Sequence, residues 1–196
     1  MKKRSCYLFV FDGFADWEPS LVTAGLNTYS DFEINTFSID GYSVKSMGNL
    51  IINPHFKLAD IKPSDPDFIL LPGGNKWEDG GNLEISGFIK ESFEKGKTIA
   101  AICAATTFLA KLGLYNSVRH TSNGLEYLKK QVPGYTDEVR YINEPCVSDK
   151  NVITANGAAM IEFGYKIFEH FGILGKEDLT FWYNLYKSGG MVYSHE

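Results

Sequence analysis

A cysteine at the junction of a buried strand and a helix constrains this chain more than any other feature. In Lys97-Thr98-Ile99-Ala100-Ala101-Ile102-Cys103-Ala104-Ala105-Thr106-Thr107-Phe108-Leu109-Ala110, the run 98–102 is apolar, too short for a helix and preceded by a glycine-containing turn. That combination predicts a central strand of a parallel sheet. From Ala104 onward the composition turns helical, with Phe108, Leu109 and Leu112 in a stripe that ends at Gly113. A cysteine at this corner would point its sulfur out at the carboxyl edge of the sheet, as in a nucleophile elbow. Ala101, Ala104 and Ala105 keep the neighbours small enough for a substrate to approach, and helix amides behind the sulfur favour a thiolate. Cys103 is therefore the candidate nucleophile; the competing reading is one more buried small apolar residue.

The rest of the chain alternates strands and helices around that corner. A first strand over 6–11 stops at Asp12-Gly13, and Trp17-Glu18-Pro19-Ser20 leads into a helix through Leu21, Val22, Ala24 and Leu26. Proline biases the residue before it toward extended backbone, which predicts Glu18 at a strand-to-helix junction on the same sheet edge as Cys103. A strand over 32–39 and a small hairpin, 42–44 with 50–52, follow. The strand Phe68–Leu71 runs into Pro72-Gly73-Gly74, where glycines free the backbone and amides can face an anion. The amides of Gly74 and Ala104 are the candidate oxyanion donors, the second because it follows the nucleophile directly. An amphipathic helix over 83–95, a helix over 124–131, strands over 138–141, 146–148 and 152–154, and two closing helices complete the pattern. The first closing helix runs through Ile161, Phe163, Tyr165, Ile167, Phe168 and Phe171, and the second spans Lys176–Lys187. The expected fold is a three-layer α/β/α sandwich with a mainly parallel sheet, in one domain over 1–196.

The segments Ala-Ile-Cys-Ala-Ala-Thr-Thr-Phe-Leu-Ala, Leu71-Pro72-Gly73-Gly74 and Thr154-Ala155-Asn156-Gly157 together resemble the ThiJ/PfpI family of the class I glutamine amidotransferase-like superfamily. The resemblance implies a flavodoxin-like fold, a cysteine nucleophile and frequent homodimers. It does not fix a substrate, because the fold hosts peptidases, deglycase or glyoxalase-type enzymes, chaperones and sensors. In that family a glutamate in the first loop points at the sulfur, and Glu18 matches it; a solvated helix-start acid is the plainer alternative. PfpI-type peptidases also carry an acid four residues past the second glycine that reaches a neighbouring subunit's site, and Glu78 has that spacing. Those peptidases place a histidine after the cysteine, where this chain has Ala104, so a peptidase triad is incomplete.

A histidine base must lie within hydrogen-bond reach of the nucleophile, and His120 is the candidate; His55, His170 and His195 are poorly placed. Alignment to one family member's pattern puts Asn123 where the active-site histidine stands. Residues three apart on extended chain face opposite sides, so only one of His120 and Asn123 can look at Cys103, with Asn123 preferred for contact and His120 for chemistry. Glu18 and Cys103 are expected to share a proton, with Glu18 donating and the thiol pKa lying well below its free value.

At 196 residues and 44% hydrophobic content the chain is long and apolar enough for a substantial core. A net charge of −5 with no clustered basic run offers nothing to a phosphate backbone, so no nucleic-acid partner is expected. The basic start Met-Lys-Lys-Arg precedes an apolar run too short for a signal core, no stretch is long enough to span a membrane, and a cytoplasmic protein is expected. Cys6, Cys103 and Cys146 are odd in number and widely spaced, which argues for reduced thiols. No ligand-spaced cluster suggests a metal, and no cofactor is expected. The functional expectation is a cysteine-dependent enzyme on a small carbonyl or amide substrate, of glyoxalase, deglycase or amidase type. The alternatives are an oxidative-stress thiol sensor or chaperone-like protein, in which Cys103 is oxidised, and an intracellular peptidase.

Overall fold

The computed structural model describes residues 3–191; His195 lies outside them. Its elements in chain order are β1 (Ser5–Phe9), α1 (Trp17–Tyr29), β2 (Glu33–Ser38), β3 (Val44–Lys45), β4 (Ile51–Ile52), β5 (Phe56–Lys57), β6 (Phe68–Leu71), α2 (Ser86–Glu94), β7 (Thr98–Ile102), α3 (Ala105–Lys111), α4 (Leu125–Gln131), β8 (Cys146–Asp149), β9 (Val152–Ala155), α5 (Met160–Phe171) and α6 (Lys176–Lys187). Short 3-10 turns connect several of them.

Seven strands form one sheet in the order β5-β2-β1-β6-β7-β9-β8. Every neighbouring pair is parallel except β8 with β9. β1, β6 and β7 are buried along their whole length, which is why they read as continuous apolar runs rather than alternating ones. Helices flank the sheet as a flavodoxin-like α/β/α sandwich: α1 packs on α5 and α5 on α6, while α2 and α3 pack on β7 and α4 on α3. The chain leaves β1 toward β2 on one side and returns to β6 on the other, so the order reverses between β1 and β6. In such sheets the crevice at the carboxyl ends of the strands beside the reversal is where ligands bind.

Aromatic packing holds the loops at that edge. Trp77 is fully buried, meets Phe9, Phe11 and Phe108 ring to ring, and donates its indole N–H to Pro72 O at 2.9 Å, so it fixes the turn after β6.

Three local expectations fail, and one strand has no signal in the sequence. Glu18 is not extended: α1 begins at Trp17, and Glu18 occupies its first turn, where Pro19 is tolerated because its nitrogen needs no intrahelical partner. The expected strand over 138–141 is a 3-10 turn, Glu138–Arg140, closed by Arg140 N–H to Asp137 O and Tyr141 N–H to Glu138 O; only Tyr141 bridges, to His120. The expected helix over 83–95 opens with a 3-10 turn, Leu83–Ile85, before α2. β5 escapes a periodicity reading because two residues, paired in parallel to β2, give no pattern.

Candidate functional site

Cys103 is where β7 meets α3, and its backbone takes φ of +59°, a left-handed conformation that a non-glycine residue adopts at an energetic cost of about 1 kcal/mol or more. The corner is pinned on both sides. Its N–H donates to Ala155 O on β9 at 2.9 Å, and its carbonyl accepts from Thr106 Oγ1 at 2.6 Å, which in turn pairs with Ser122 Oγ at 2.6 Å. The half-buried sulfur is thereby turned out at the carboxyl edge of the sheet.

Two glycines from the flanking strands crowd this sulfur. A Cβ on Gly73, after β6, would lie 2.8 Å from Cys103 Cβ and 2.8 Å from Glu18 Oε2; one on Gly157, after β9, would lie 2.7 Å from Cys103 Sγ. Both positions must stay bare for the carboxyl and the thiol to meet. Gly157 was not among the expected site residues, although Asn156-Gly157 follows a buried strand just as Gly73 does.

The Glu18 carboxyl is buried, accepts the Gly73 N–H at 2.5 Å on Oε2 and accepts a hydrogen bond from the Cys103 thiol. Burial raises its pKa from the ordinary 4.5 to about 7, against the lowering effect of the two hydrogen bonds. Burial also pushes the Cys103 thiol up to about 11, and the Glu18 charge acts in the same direction, while the Asn123 amide and the Ala104 backbone N–H act against it. The expected depressed thiol is thus reversed: desolvation of the sulfur outweighs the amides around it, and in the resting pair the proton sits on sulfur and is donated to the carboxyl.

Of His120 and Asn123, it is Asn123 that reaches the sulfur, with Nδ2 donating to Sγ at 3.3 Å and Oδ1 accepting the Gly157 N–H at 2.8 Å. His120 is fully buried and turned into the core. Its Nδ1 meets Val118 O at 3.1 Å, its Nε2 meets Tyr135 Oη at 2.6 Å, and its ring stacks on Tyr115 at 3.8 Å. With both ring nitrogens engaged, and burial lowering its pKa, His120 is a neutral packing residue. Glu78 is exposed and accepts the Tyr127 hydroxyl at 2.6 Å, a bond within its own chain. Gly74 has φ of +147°, and a Cβ there would meet Gly13 O at 2.7 Å, so the turn beside the sulfur requires glycine. The Gly73 amide is spent on Glu18.

Among the described residues, no group of three or more His, Cys, Asp or Glu side chains is arranged to hold a metal, and no helix is long and apolar enough to cross a membrane.

A left-handed cysteine after the central strand of a flavodoxin-like sheet, with a carboxyl hydrogen-bonded to its sulfur, defines a domain built on a nucleophile elbow. The chain belongs to the DJ-1/PfpI family, whose profile matches residues 4–170. It is 34% identical over 203 residues to "Uncharacterized protease YoaZ" of Bacillus subtilis (strain 168), covering 100% of this chain and 97% of the relative. Among solved structures, a thiJ/pfpI family protein from Bacillus anthracis superposes with a TM-score of 0.90 at 32% identity, covering 99% of this chain and 96% of that one. The DJ-1 superfamily protein Atu0886 from Agrobacterium tumefaciens does so with a TM-score of 0.84 at 34% identity, covering 91% and 95%.

Proposed function

We propose that this protein is a cysteine-dependent enzyme acting on a small carbonyl or amide substrate, with Cys103 as nucleophile and Glu18 as its base. The observation that carries the reading is a cysteine held at a left-handed strand-to-helix corner and packed with the buried Glu18 carboxyl against the bare Gly73 and Gly157; burial raises that carboxyl's pKa to about 7. In the first step Sγ adds to the carbonyl carbon as its proton passes to the Glu18 carboxylate, and the carbonyl π electrons move to oxygen. The Ala104 and Gly74 amides are the proposed donors to that oxyanion. The Asn123 N–H on the sulfur eases the transfer by stabilising the charge that develops there.

The relative YoaZ is named a protease, and peptide hydrolysis is the less favoured reading. The residue after Cys103 is Ala104, and His120 has both nitrogens engaged elsewhere, so neither of these positions offers a histidine to the leaving amine.

The protein is further proposed to act as a homodimer. The β3–β4 hairpin with the residue Tyr42 before it and the start of α1 expose Trp17, Tyr42, Met47, Leu50 and Ile51, and this apolar surface is tied to the loop that leads into α1 and Glu18 through Met47 N–H to Phe14 O and Gly48 N–H to Asp16 Oδ1.

A screen of small aldehydes, amides and esters with the wild type and Cys103→Ser tests the function. Turnover by the wild type alone supports the enzyme. Absence of turnover with stoichiometric loss of the thiol to peroxide would replace it with the thiol-sensor reading.

A further inference from the structure

The segment 121–123 carries the asparagine that reaches the sulfur, yet among the described residues no backbone–backbone hydrogen bond holds it. Hydroxyl groups hold it instead. Thr121 is tied on both sides, its N–H donating to Thr154 Oγ1 at 2.8 Å and its hydroxyl to Glu144 O at 2.9 Å. The Ser122 hydroxyl lies 2.6 Å from Thr106 Oγ1, and Thr106 Oγ1 lies 2.6 Å from Cys103 O. Thr106 and Ser122 are both buried.

Counting hydrogens fixes the direction of these bonds. A carbonyl oxygen only accepts, so the single hydrogen of the Thr106 hydroxyl goes to Cys103 O, and Ser122 must donate to Thr106. The residue after Ser122 is Asn123, whose Nδ2 donates to Cys103 Sγ at 3.3 Å. Hydrogen bonds and two short stretches of chain thus close a ring that runs from the Cys103 backbone through Thr106, Ser122 and Asn123 to the Cys103 sulfur. The Gly157 N–H on Oδ1 at 2.8 Å orients the amide, and the ring sets how far its nitrogen stands from the sulfur. A donor held at that distance stabilises the thiolate.

We propose that Thr106 and Ser122 are a pair of positioning residues that tie the Cys103 corner to the 121–123 segment and so hold the Asn123 amide on the sulfur. The inference rests on the reading of Cys103 as the reactive thiol.

The test combines thermal unfolding with the second-order rate of iodoacetamide labelling, assigned to Cys103 by mass spectrometry. Thr106→Val strands the buried Ser122 hydroxyl and should lower Tm by about 3–6 °C and slow labelling by about fivefold, the scale of one lost hydrogen bond. Thr106→Val with Ser122→Ala strands nothing, so Tm should return to within about 2 °C of wild type while labelling stays about fivefold slow. Ser122→Ala alone leaves Thr106 bonded to Cys103 O and should slow labelling as much with little change in Tm. Thr106→Ser keeps the hydroxyl and should label within about twofold of wild type. Asn123→Ala should also slow labelling about fivefold, and adding it to the double variant should slow it no further, because the pair acts through Asn123. A double variant that labels at the wild-type rate, a triple variant slowed by the product of the two effects, or Thr106→Ser as slow as Thr106→Val would each overturn the pair while leaving the nucleophile reading intact. A wild-type Cys103 that does not label at all would overturn both.

Discussion

Gly157 stands so close to Cys103 that a methyl group on its α-carbon would lie 2.7 Å from the sulfur. Gly157 is not among the residues with positive φ, so alanine there meets the thiol and not a strained chain. Gly157→Ala is expected to suppress iodoacetamide labelling of Cys103 by at least about tenfold while destabilising the fold by about 1–3 kcal/mol, as overpacking does. Labelling at the wild-type rate would show that the sulfur does not occupy this niche.

Glu18 should make the protein more stable in acid than in base. Its carboxyl titrates near 7 in the folded state against an ordinary 4.5, so folding favours its neutral form. That contribution is fully present below pH 4.5 and is lost as pH rises through 7. Glu18→Gln removes the buried charge, and the variant should exceed the wild type in stability by up to about 3 kcal/mol at pH 8, with the gap closing by pH 4. Urea unfolding of both proteins at the two pH values is the measurement. A gap that does not change with pH would place the Glu18 carboxyl in water.

The same titration governs the proposed chemistry. With Glu18 as base, kcat/KM for a carbonyl substrate should rise with pH around 7 as the carboxyl ionises. Glu18→Gln should flatten that rise. A profile that climbs only near the thiol value of about 11 would assign the reactive form to unassisted thiolate.

His120→Ala should damage the fold and spare the thiol. It removes the ring stacked on Tyr115 and leaves the Tyr135 hydroxyl without its partner, at a cost of about 2–4 kcal/mol. Cys103 labelling under native conditions should stay within about twofold of wild type, since an effect relayed through packing is small. A loss of labelling without a loss of stability would return His120 to the site.

The homodimer is checked by light scattering. The wild type should show twice the chain mass at micromolar concentration, and Leu50→Asp with Ile51→Asp, at positions 54% and 67% exposed, should yield a folded monomer. A monomeric wild type refutes the assembly.

The corner itself was legible in the sequence because its signal is local. A short apolar run, a cysteine and a helix-forming run occupy consecutive positions, and β7 and α3 fall where the composition changes. The sheet followed from buried strands separated by glycine and proline turns. What could not be read is orientation. His120 and Asn123 lie three residues apart, and only the stacking of His120 among Tyr115, Tyr135 and Tyr141 decides which of them turns outward. Gly157 carries no local signal, because its role depends on the parallel pairing of β9 beside β7, a contact between residues far apart in the chain. The direction of the thiol's pKa is hidden for a related reason: helix amides are visible locally, but desolvation is a property of the assembled crevice.

The placement of β9 between β7 and β8 has a consequence for biosynthesis. Glu18 and Gly73 precede Cys103 in the chain, so that side of the thiol's surroundings can form soon after β7 leaves the ribosome. Asn123 and Gly157 come later, and the Ala155 carbonyl that anchors the Cys103 backbone arrives only with β9. Until β9 slots in beside β7 the nascent chain carries an open cysteine on an unpaired parallel edge, exposed to oxidants and to other nascent chains. Translation of the last third of the protein therefore closes the window in which this thiol is vulnerable.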